Sequence, residues 1–397
     1  MKIAIFHNLT SGGGKRALEG YCKGLCERGH SLDLFIMDTA DERYLPLDRY
    51  TNLKKIYSVK GRGLFKLPDY NVRSFSSSGK WLIALKRIDK AQRQIADNIN
   101  KGGYDLAFIG GCIYTQAPFI LRYLKTPSVY LCQEPLRAIY ESPKLQDLDN
   151  LKGRVYLLCA SLILKKADYK NICSADLVLA NSYFSRESIL KTYGINARVN
   201  YLGVDTEEFK PLDLTKENMV ISLGGLQPRK GYRFIIQFLS RINKNVRPKF
   251  VILADKYYYG EGEVLKNLAK DLKVELDIVI GSSDEAVIDY YNRAKAVVFA
   301  PYLEPFGFVA LEAMACGAPL IAVKEGGIRE VVIDGQNGIL LDRDEAKFAE
   351  AIERVLGNPD KAQTLGLKAR EYVEKYWSWD KSVDYLEHNF ETILYKH

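Results

Sequence analysis

Histidine is scarce in this chain, and only four histidines occur among its 397 residues. His7 is the only one near a candidate site, which argues against a histidine-rich metal centre. The seven cysteines are an odd number and lack paired CxxC spacings, so a disulfide or metal framework is not indicated either. Free thiols in a reducing compartment are the simpler interpretation. We therefore expect a cytoplasmic protein that has no metal and no cofactor.

Long apolar runs are also missing. A membrane-spanning helix needs roughly 18 consecutive apolar residues, and the longest candidate, "VYLLCASLILKK", is much shorter. The opening "MKIAIFHN" passes straight into a short apolar run, which predicts a first strand and not a signal peptide. We expect a protein that is soluble or peripheral on the cytoplasmic face of a membrane.

Acidic residues are few in the first half of the chain. Residues 1–200 hold 31 Lys and Arg against 18 Asp and Glu, whereas residues 201–397 hold 26 against 31. An anionic partner therefore belongs with the first half. Within it, "KWLIALKRIDKAQRQIADNINK" predicts a basic helix with one apolar face formed by Trp81, Leu85, Ile88, Ile95 and Ile99. Leu82 and Ile83 fall outside that face, so the helix either packs with a solvated basic side or docks on an anionic membrane.

Short β-branched runs alternate with longer helical patterns throughout the chain. This pattern is typical of parallel sheets covered by helices on both faces. It occurs in two sets, which predict an α/β protein with two doubly wound Rossmann-like domains facing a cleft. We place the first domain at residues 1–205 and the second at 206–378, and we expect a last helix, at about 379–397, to pack back on the first.

The stretch "EPFGFVALEAMACGAP" holds two carboxylates around an apolar helix. A helix from Phe308 would be buried, and a carboxylate on it, Glu312, needs hydrogen-bond donors. Glu304 follows a predicted strand, at the edge where parallel sheets bind ligands. Sugar hydroxyls would satisfy both acids. The alternative is structural: Glu304 is then a solvated loop acid, and Glu312 pairs with a cation such as Lys324.

Two further turns carry glycines. In "VISLGGLQPRKGYRFIIQFL", Arg229 and Lys230 follow a glycine pair, an arrangement suited to phosphate, although two solvated basic residues would look the same. In "FHNLTSGGGKRALEG", Gly12, Gly14 and Ala17 fit GxGxxA, with Asp38 ending the next strand, which keeps an NAD-dependent oxidoreductase open. Against it, six residues separate the first apolar run from Gly12, whereas the fingerprint turns immediately after its strand. The DxD triplets at Asp147 and Asp342 could suggest a metal-bound nucleotide sugar, but such triplets arise by chance and we do not infer a metal site from them.

Taken together, the motifs resemble the retaining glycosyltransferases of family 4, which have the GT-B fold. The resemblance extends from the glycine loop at 12–14 through "ADLVLANSYFS", "GGLQPRKG" and the E-x7-E element to "GGIREVVIDGQNG". It implies metal-independent transfer of a sugar, with retention, from a UDP- or GDP-sugar to a glycan or lipid-linked acceptor, with no role for nucleic acid. The residues it implies for the site are Gly13, Gly14, Gln133, Arg229, Lys230, Gly281, Ser282, Glu304, Phe306, Gly307, Phe308, Val309 and Glu312.

The roles follow from the same resemblance. Glu312 holds the ribose, Glu304 and the amides of residues 306–309 hold the transferred sugar, and Lys230 holds the diphosphate. Backbone groups around Gly281 and Ser282 contact the base.

The sequence departs from the family at two positions. Gly225 stands where the family has arginine, so Arg229 is expected to supply that charge, and Gln133 stands where the family often has histidine. A catalytically inactive nucleotide-sugar binder therefore also remains open.

Overall fold

The structure is a computed structural model that describes residues 1–58, 80–141, 151–255 and 260–395. The chain divides into two units. The first comprises Met1–Tyr201 and Ser382–His397, and the second comprises Leu202–Lys381.

Strands and helices alternate along the first unit, as the sequence predicts. Its strands are β1 (Lys2–Asn8), β2 (Ser31–Met37), β3 (Asn52–Tyr57), β4 (Leu106–Cys112), β5 (Ser128–Leu131), β6 (Leu177–Ala180) and β7 (Arg198–Val199). Its helices are α1 (Gly13–Glu27), α2 (Lys80–Lys101), α3 (Arg137–Tyr140), α4 (Leu151–Ile172) and α5 (Tyr183–Tyr193).

The first sheet is parallel and has the order β3-β2-β1-β4-β5-β6-β7. The order reverses between β1 and β4, because β2 and β3 lie on one side of β1 and the later strands on the other. Loops that leave two such strands diverge and open a crevice at the carboxyl edge of the sheet. The glycine loop after β1 lies at this switch point.

The second unit repeats the scheme. Its strands are β8 (Glu217–Leu223), β9 (Lys249–Ala254), β10 (Leu276–Ile280), β11 (Ala294–Phe299), β12 (Leu320–Val323) and β13 (Ile339–Leu341). Its helices are α6 (Tyr232–Ser240), α7 (Glu261–Asp271), α8 (Asp284–Arg293), α9 (Phe308–Ala315), α10 (Ile328–Val331), α11 (Glu345–Gly357) and α12 (Pro359–Tyr376).

The second sheet is also parallel, with the order β10-β9-β8-β11-β12-β13. Its switch point lies between β8 and β11. The turn after β8 carries Arg229 and Lys230, and the loop after β11 carries Glu304. The topology therefore brings together two motifs that lie about seventy residues apart in the chain. Two parallel-sheet α/β units confirm the predicted fold class.

The last helix, α13 (Trp379–Leu394), belongs to the first unit from Ser382 onward. Its Glu387 carboxylate pairs with the Arg28 guanidinium and lies 2.6 Å from His30 Nε2. The Phe390 ring packs edge-on against Phe108 of β4, with centroids 5.5 Å apart. The helix thus contributes an ion pair and core contacts to the first unit.

Helices α2 and α4 both pack on a 3₁₀ turn at Phe119–Arg122 and cover the same part of the first core. Ile88, Ile95 and Ile99 of α2 are buried, which confirms most of the predicted apolar face. The side chain of Trp81 lies outside the described residues. None of the helices in the described part of the chain is long and apolar enough to cross a bilayer.

A buried carboxylate on α4 ties this helix to the loop after β4. Asp168 accepts hydrogen bonds from the Ala117 backbone N–H at 3.0 Å and from the Tyr193 hydroxyl at 2.6 Å. Burial raises the pKa of Asp168 to about 6, although these donors and Tyr140 act in the opposite direction. In an unfolded chain the pKa of an aspartate is about 3.9.

We predict a pH-dependent stability that the Asp168→Asn variant lacks. Between about pH 4 and pH 6 the folded protein retains a proton that the unfolded chain has released, so the wild-type free energy of unfolding falls as pH rises. Relative to Asp168→Asn, the wild type should lose up to about 3 kcal/mol across this window. Urea unfolding of both proteins at several pH values measures this difference. Parallel profiles would show that Asp168 titrates normally.

Candidate active site

The second switch point brings three predicted residues together. Lys230 Nζ lies 2.9 Å from Glu304 Oε1 and 3.0 Å from Oε2, and Arg229 Nη1 lies 3.9 Å from Oε2. All three side chains are partly buried. Arg229 also donates from Nε to Gln227 Oε1 at 2.8 Å. Glu304 is therefore not a solvated loop acid.

Close backbone packing fixes these loops. Arg229 and Lys230 lie in a 3₁₀ turn, Pro228–Lys230, which ends at Gly231. A Cβ on Gly231 would lie 2.0 Å from the Ala300 carbonyl oxygen, and one on Gly326 would lie 2.4 Å from the Glu304 carbonyl oxygen. Both glycines also have positive φ, so other residues would be strained as well as crowded. The glycines allow the loop that carries Glu304 to pass between the two turns.

Arg343, which no sequence pattern indicates, organises the same loop. Its guanidinium donates to the carbonyl oxygens of Ala300 at 2.9 Å and Pro301 at 3.0 Å. It also forms a bidentate pair with Glu325, with distances of 2.8 and 2.9 Å, and stacks on the Tyr302 ring. In "LLDRDE" an arginine among acids is typical of a solvated loop, so the sequence offered no signal for this role.

Helix α9 carries the second acid. Gly307 caps the helix and Phe308 and Val309 form its first turn, where backbone N–H groups have no intrahelical partner. Glu312 is 5% exposed. Its Oε2 accepts a hydrogen bond at 2.9 Å from the hydroxyl of Tyr291 on α8. The expected partner, a cation such as Lys324, is therefore wrong, and the contact is with a tyrosine that no sequence pattern indicates.

Aromatic packing supports the start of α9. The Phe306 ring lies 5.8 Å from Trp377, and the Phe308 ring lies 6.3 Å from Trp379. The two phenylalanine rings also contact each other edge-on at 5.7 Å. These contacts hold the backbone amides of residues 306–309 at a fixed place beside Glu304.

Gly281 and Ser282 follow β10 at the same edge of the sheet. The Gly281 N–H donates to the Ala254 carbonyl oxygen at 2.8 Å. The Ser282 hydroxyl is buried and has no hydrogen-bond partner among the described residues. A buried hydroxyl without a partner is costly unless a ligand satisfies it. This observation is compatible with the predicted contact to a base.

The first unit brings Gly14 and Gln133 together. Gly13 and Gly14 open α1, and Gln133 follows β5. Gln133 Nε2 donates to the Gly14 carbonyl oxygen at 3.5 Å, a long hydrogen bond. The three predicted residues of the first unit therefore lie at its carboxyl edge.

A buried charged cluster, which was not predicted, lies beneath this glycine loop. The fully buried Lys15 contacts Glu42, and His7 Nε2 lies 2.9 Å from the same carboxylate. His7 Nδ1 accepts from the Leu9 N–H at 3.2 Å, so the neutral ring carries its proton on Nε2. Burial alone would raise the pKa of Glu42, but His7 and Lys15 lower it to about 2. Lys15 is thus engaged in structural pairing and not available for phosphate.

The expected distance between the first strand and the glycine loop is wrong. The sequence-based prediction places six residues, from the end of the apolar run to Ser11, before Gly12, but β1 runs through Asn8 and only residues 9–11 intervene. The Asp38 carboxylate accepts from the Ser58 hydroxyl at 2.7 Å. The spacing therefore does not exclude a dinucleotide-binding fingerprint.

Of the two DxD triplets, the structure describes only Asp342 with Asp344. Asp344 caps α11, where it accepts from the Ala346 and Lys347 amides. Asp147 and Asp149 lie outside the described residues. Within residues 1–58, 80–141, 151–255 and 260–395, no group of three or more His, Cys, Asp and Glu could hold a metal ion.

Residues 204–372 match the family model described as glycosyl transferases group 1, which confirms the resemblance predicted from the sequence. The D-inositol 3-phosphate glycosyltransferase of Acidothermus cellulolyticus is 30% identical over 237 residues, covering 54% of this chain and 52% of the relative. A GDP-mannose-dependent alpha-(1-6)-phosphatidylinositol monomannoside mannosyltransferase of Mycolicibacterium smegmatis is 29% identical, covering 52% and 59%. The chain thus matches somewhat more than half the length of these curated relatives.

Solved structures establish the fold. Sucrose-phosphate synthase from Thermosynechococcus elongatus aligns with a TM-score of 0.75 at 20% identity over all of both chains. Anabaena HepE, in complex with UDP and glucose, aligns with a TM-score of 0.71 at 18% identity over 98% of this chain and 99% of its own. At these identities the likeness shows the GT-B fold alone. The relatives named here give no support to an oxidoreductase.

We predict that Arg343 is needed for stability. Arg343→Ala should lower the free energy of unfolding by about 2–4 kcal/mol, because two carbonyls and a carboxylate lose a partly buried charged donor. Arg241→Ala is the matched control. It removes an exposed pair with Glu345, so it should cost at most about 1 kcal/mol. Urea unfolding compares the two variants, and equal losses would contradict the organising role of Arg343.

Proposed function

We propose that this chain is a retaining, metal-independent glycosyltransferase. The proposal is supported by the second unit, in which residues 204–372 match the glycosyl transferases group 1 model. The enzyme moves a sugar from a UDP- or GDP-sugar to a hydroxyl of a glycan or lipid-linked acceptor. The observation that carries the proposal is the contact of Lys230 with Glu304 beside the first turn of α9. One cation and one carboxylate at a helix N-terminus offer groups for both halves of a nucleotide sugar.

The diphosphate is assigned to Lys230 and Arg229. A lysine ammonium has three N–H donors, and Glu304 accepts from at most two of them. The remaining donor can bind a phosphate oxygen. Arg229 adds a second positive charge and compensates for Gly225. Positive groups that are already in place stabilise the charge that develops on a leaving phosphate.

The sugar and ribose are assigned to the two acids. Each oxygen of a carboxylate can accept more than one hydrogen bond. Glu304 and the amides of residues 306–309 therefore bind hydroxyls of the transferred sugar. Glu312, positioned by Tyr291, accepts from the ribose diol. We assign no protein nucleophile, and the acceptor hydroxyl attacks on the face from which the diphosphate leaves. The bond between the anomeric carbon and the acceptor oxygen forms as the bond to the diphosphate breaks, and the hydroxyl proton passes to the departing diphosphate oxygen.

The acceptor is assigned to the first unit. Gly13, Gly14 and Gln133 lie at its carboxyl edge, and its basic composition suits an acceptor at an anionic membrane surface in the cytoplasm. One relative is named as GDP-mannose-dependent, and one solved neighbour is in complex with UDP and glucose. GDP-sugars and UDP-sugars are therefore the first donors to test.

The direct experiment is a thermal-shift panel with UDP, GDP, ADP, their sugars and NAD. A ligand at 100 times its dissociation constant adds about 2.7 kcal/mol to stability. Stabilisation by one nucleotide and its sugar, but not by NAD, supports the proposal. Binding without any turnover would favour an inactive nucleotide-sugar binder, for which Gly225 and Gln133 are the motivating departures.

We predict opposite effects for the two acids. Glu312→Gln should weaken binding of the bare nucleoside diphosphate by about tenfold or more, because a hydrogen bond to a charged group contributes about 1.5–3 kcal/mol. Glu304→Gln should leave that affinity unchanged or raise it, because it removes a negative charge next to Lys230, and should instead lower transfer. Calorimetry and turnover assays separate these effects. The reverse pattern would show that the two assignments are exchanged.

We also predict that both cations contribute to turnover. Lys230→Ala and Arg229→Ala should each lower kcat by at least about tenfold, through loss of charge stabilisation. Lys244→Ala, an exposed lysine of the same unit, is the control and should have no effect. Gly225→Arg in the Arg229→Ala background should restore part of the activity. A fully active Arg229→Ala enzyme would show that Arg229 does not contribute to stabilising the leaving diphosphate.

A further inference from the structure

Helix α4 exposes its apolar side chains. Of its described side chains, Leu162 is 65% exposed, and Leu158, Ile163 and Tyr169 are exposed as well. Leu158, Leu162 and Tyr169 recur at spacings of four and seven residues, so they share one face of the helix, and Ile163 lies at the edge of that face. A surface helix ordinarily turns such residues towards the core.

The buried face of α4 combines apolar side chains with three polar ones. Ala160, Leu164 and Ile172 are buried there, and so are Ser161, Asp168 and Asn171. Asp168 accepts from the Ala117 N–H, and Asn171 Nδ2 donates to the Ala117 carbonyl oxygen at 2.6 Å. These bonds fix the rotation of the helix, because turning the apolar face inward would strand a carboxylate and an amide. The same hydrogen bonds therefore determine which face of α4 is exposed.

The outward face carries positive charge and no acid. Lys166 and Lys170 are exposed between the apolar side chains, and Lys165 lies at the margin. From Leu158 to Ile172 the only acid is Asp168, which is buried. An apolar face with lysines interspersed is complementary to an anionic lipid surface, where chains accept the apolar groups and headgroups accept the charge.

Helix α2 extends the same surface. Its Leu85 packs against a small cluster that includes Ala160 and Leu164 of α4. Both helices lie on the 3₁₀ turn at Phe119–Arg122, so they cover one side of the sheet. Outward from α2 project the exposed side chains of Leu82, Ile83, Lys86, Arg87, Lys90 and Arg93.

We propose that the outer faces of α4 and α2 form a docking surface for an anionic membrane. Leu158, Leu162 and Ile163 enter the interfacial region, and the lysines and arginines beside them contact the headgroups. This surface deepens the proposed function by assigning the membrane partner to particular side chains. It rests on that function only for the purpose of docking, which is to bring the first unit to an acceptor at the membrane. Donor binding in the second unit does not depend on this surface.

The test is co-sedimentation of the full chain with phosphatidylcholine vesicles, with and without phosphatidylglycerol. We expect binding only to the anionic vesicles, with release as salt rises. Leu162→Glu should weaken this binding by about tenfold or more, because it removes apolar burial and adds repulsion. The matched control is Leu367→Glu, at a residue that is 52% exposed on α12 of the second unit, and it should bind as wild type does.

An environment-sensitive label gives an independent measurement. Cys159 is exposed on the outward face of α4, and Cys26 is exposed on α1. In variants that retain one exposed cysteine, a label at Cys159 should shift to shorter wavelength with anionic vesicles, and a label at Cys26 should not.

Three outcomes would overturn the inference. They are equal binding of Leu162→Glu and Leu367→Glu, equal binding to anionic and neutral vesicles, and a dimer that Leu162→Glu dissociates without any vesicle binding. The last would assign the surface to a second copy of the chain. Nucleotide thermal shifts on the same variants report separately on the proposed donor site, so failure of one proposal is distinguishable from failure of the other.

Discussion

The position of Glu304 depends on how the loop after β11 satisfies its backbone. The carbonyl oxygens of Ala300 and Pro301 both accept from Arg343, and the Glu304 carbonyl accepts from the Gly327 N–H at 2.9 Å. Buried carbonyl groups outside regular structure need such partners. Because this backbone is held on both sides, the loop presents the partly buried Glu304 carboxylate to Lys230.

Charge then limits what Glu304 can bind. The carboxylate faces two cations, Lys230 and Arg229, so the local charge is positive by one. A phosphate would be attracted to the cations but repelled by the carboxylate, whose oxygens only accept hydrogen bonds when ionised. Sugar hydroxyls, which donate, suit it better. The arrangement therefore favours a ligand that combines a phosphate with a hydroxyl-rich group over a simple anion.

The alternation of strands and helices could be read from the sequence, because both periodicities are local properties. The proximity of Glu304 to Lys230 could also be predicted approximately, because the carboxyl ends of parallel strands lie at the same edge of a sheet. The partners of the side chains could not be predicted. Tyr291 reaches Glu312 from a neighbouring helix, and Arg343 reaches Glu325 across a loop. Neither pair has a characteristic spacing, and each depends on how two elements pack.

Helix α4 shows the same limit in a different form. Its stretch "VYLLCASLILKK" is too short to span a bilayer, and composition alone describes it as an ordinary core segment. Periodicity does not help, because apolar residues occur on both faces. What decides the orientation is the cost of a carboxylate: Asp168 requires the Ala117 N–H and the Tyr193 hydroxyl, and those donors lie inside the first unit. The polar contacts thus determine the burial, and exposure of Leu162 follows as a consequence.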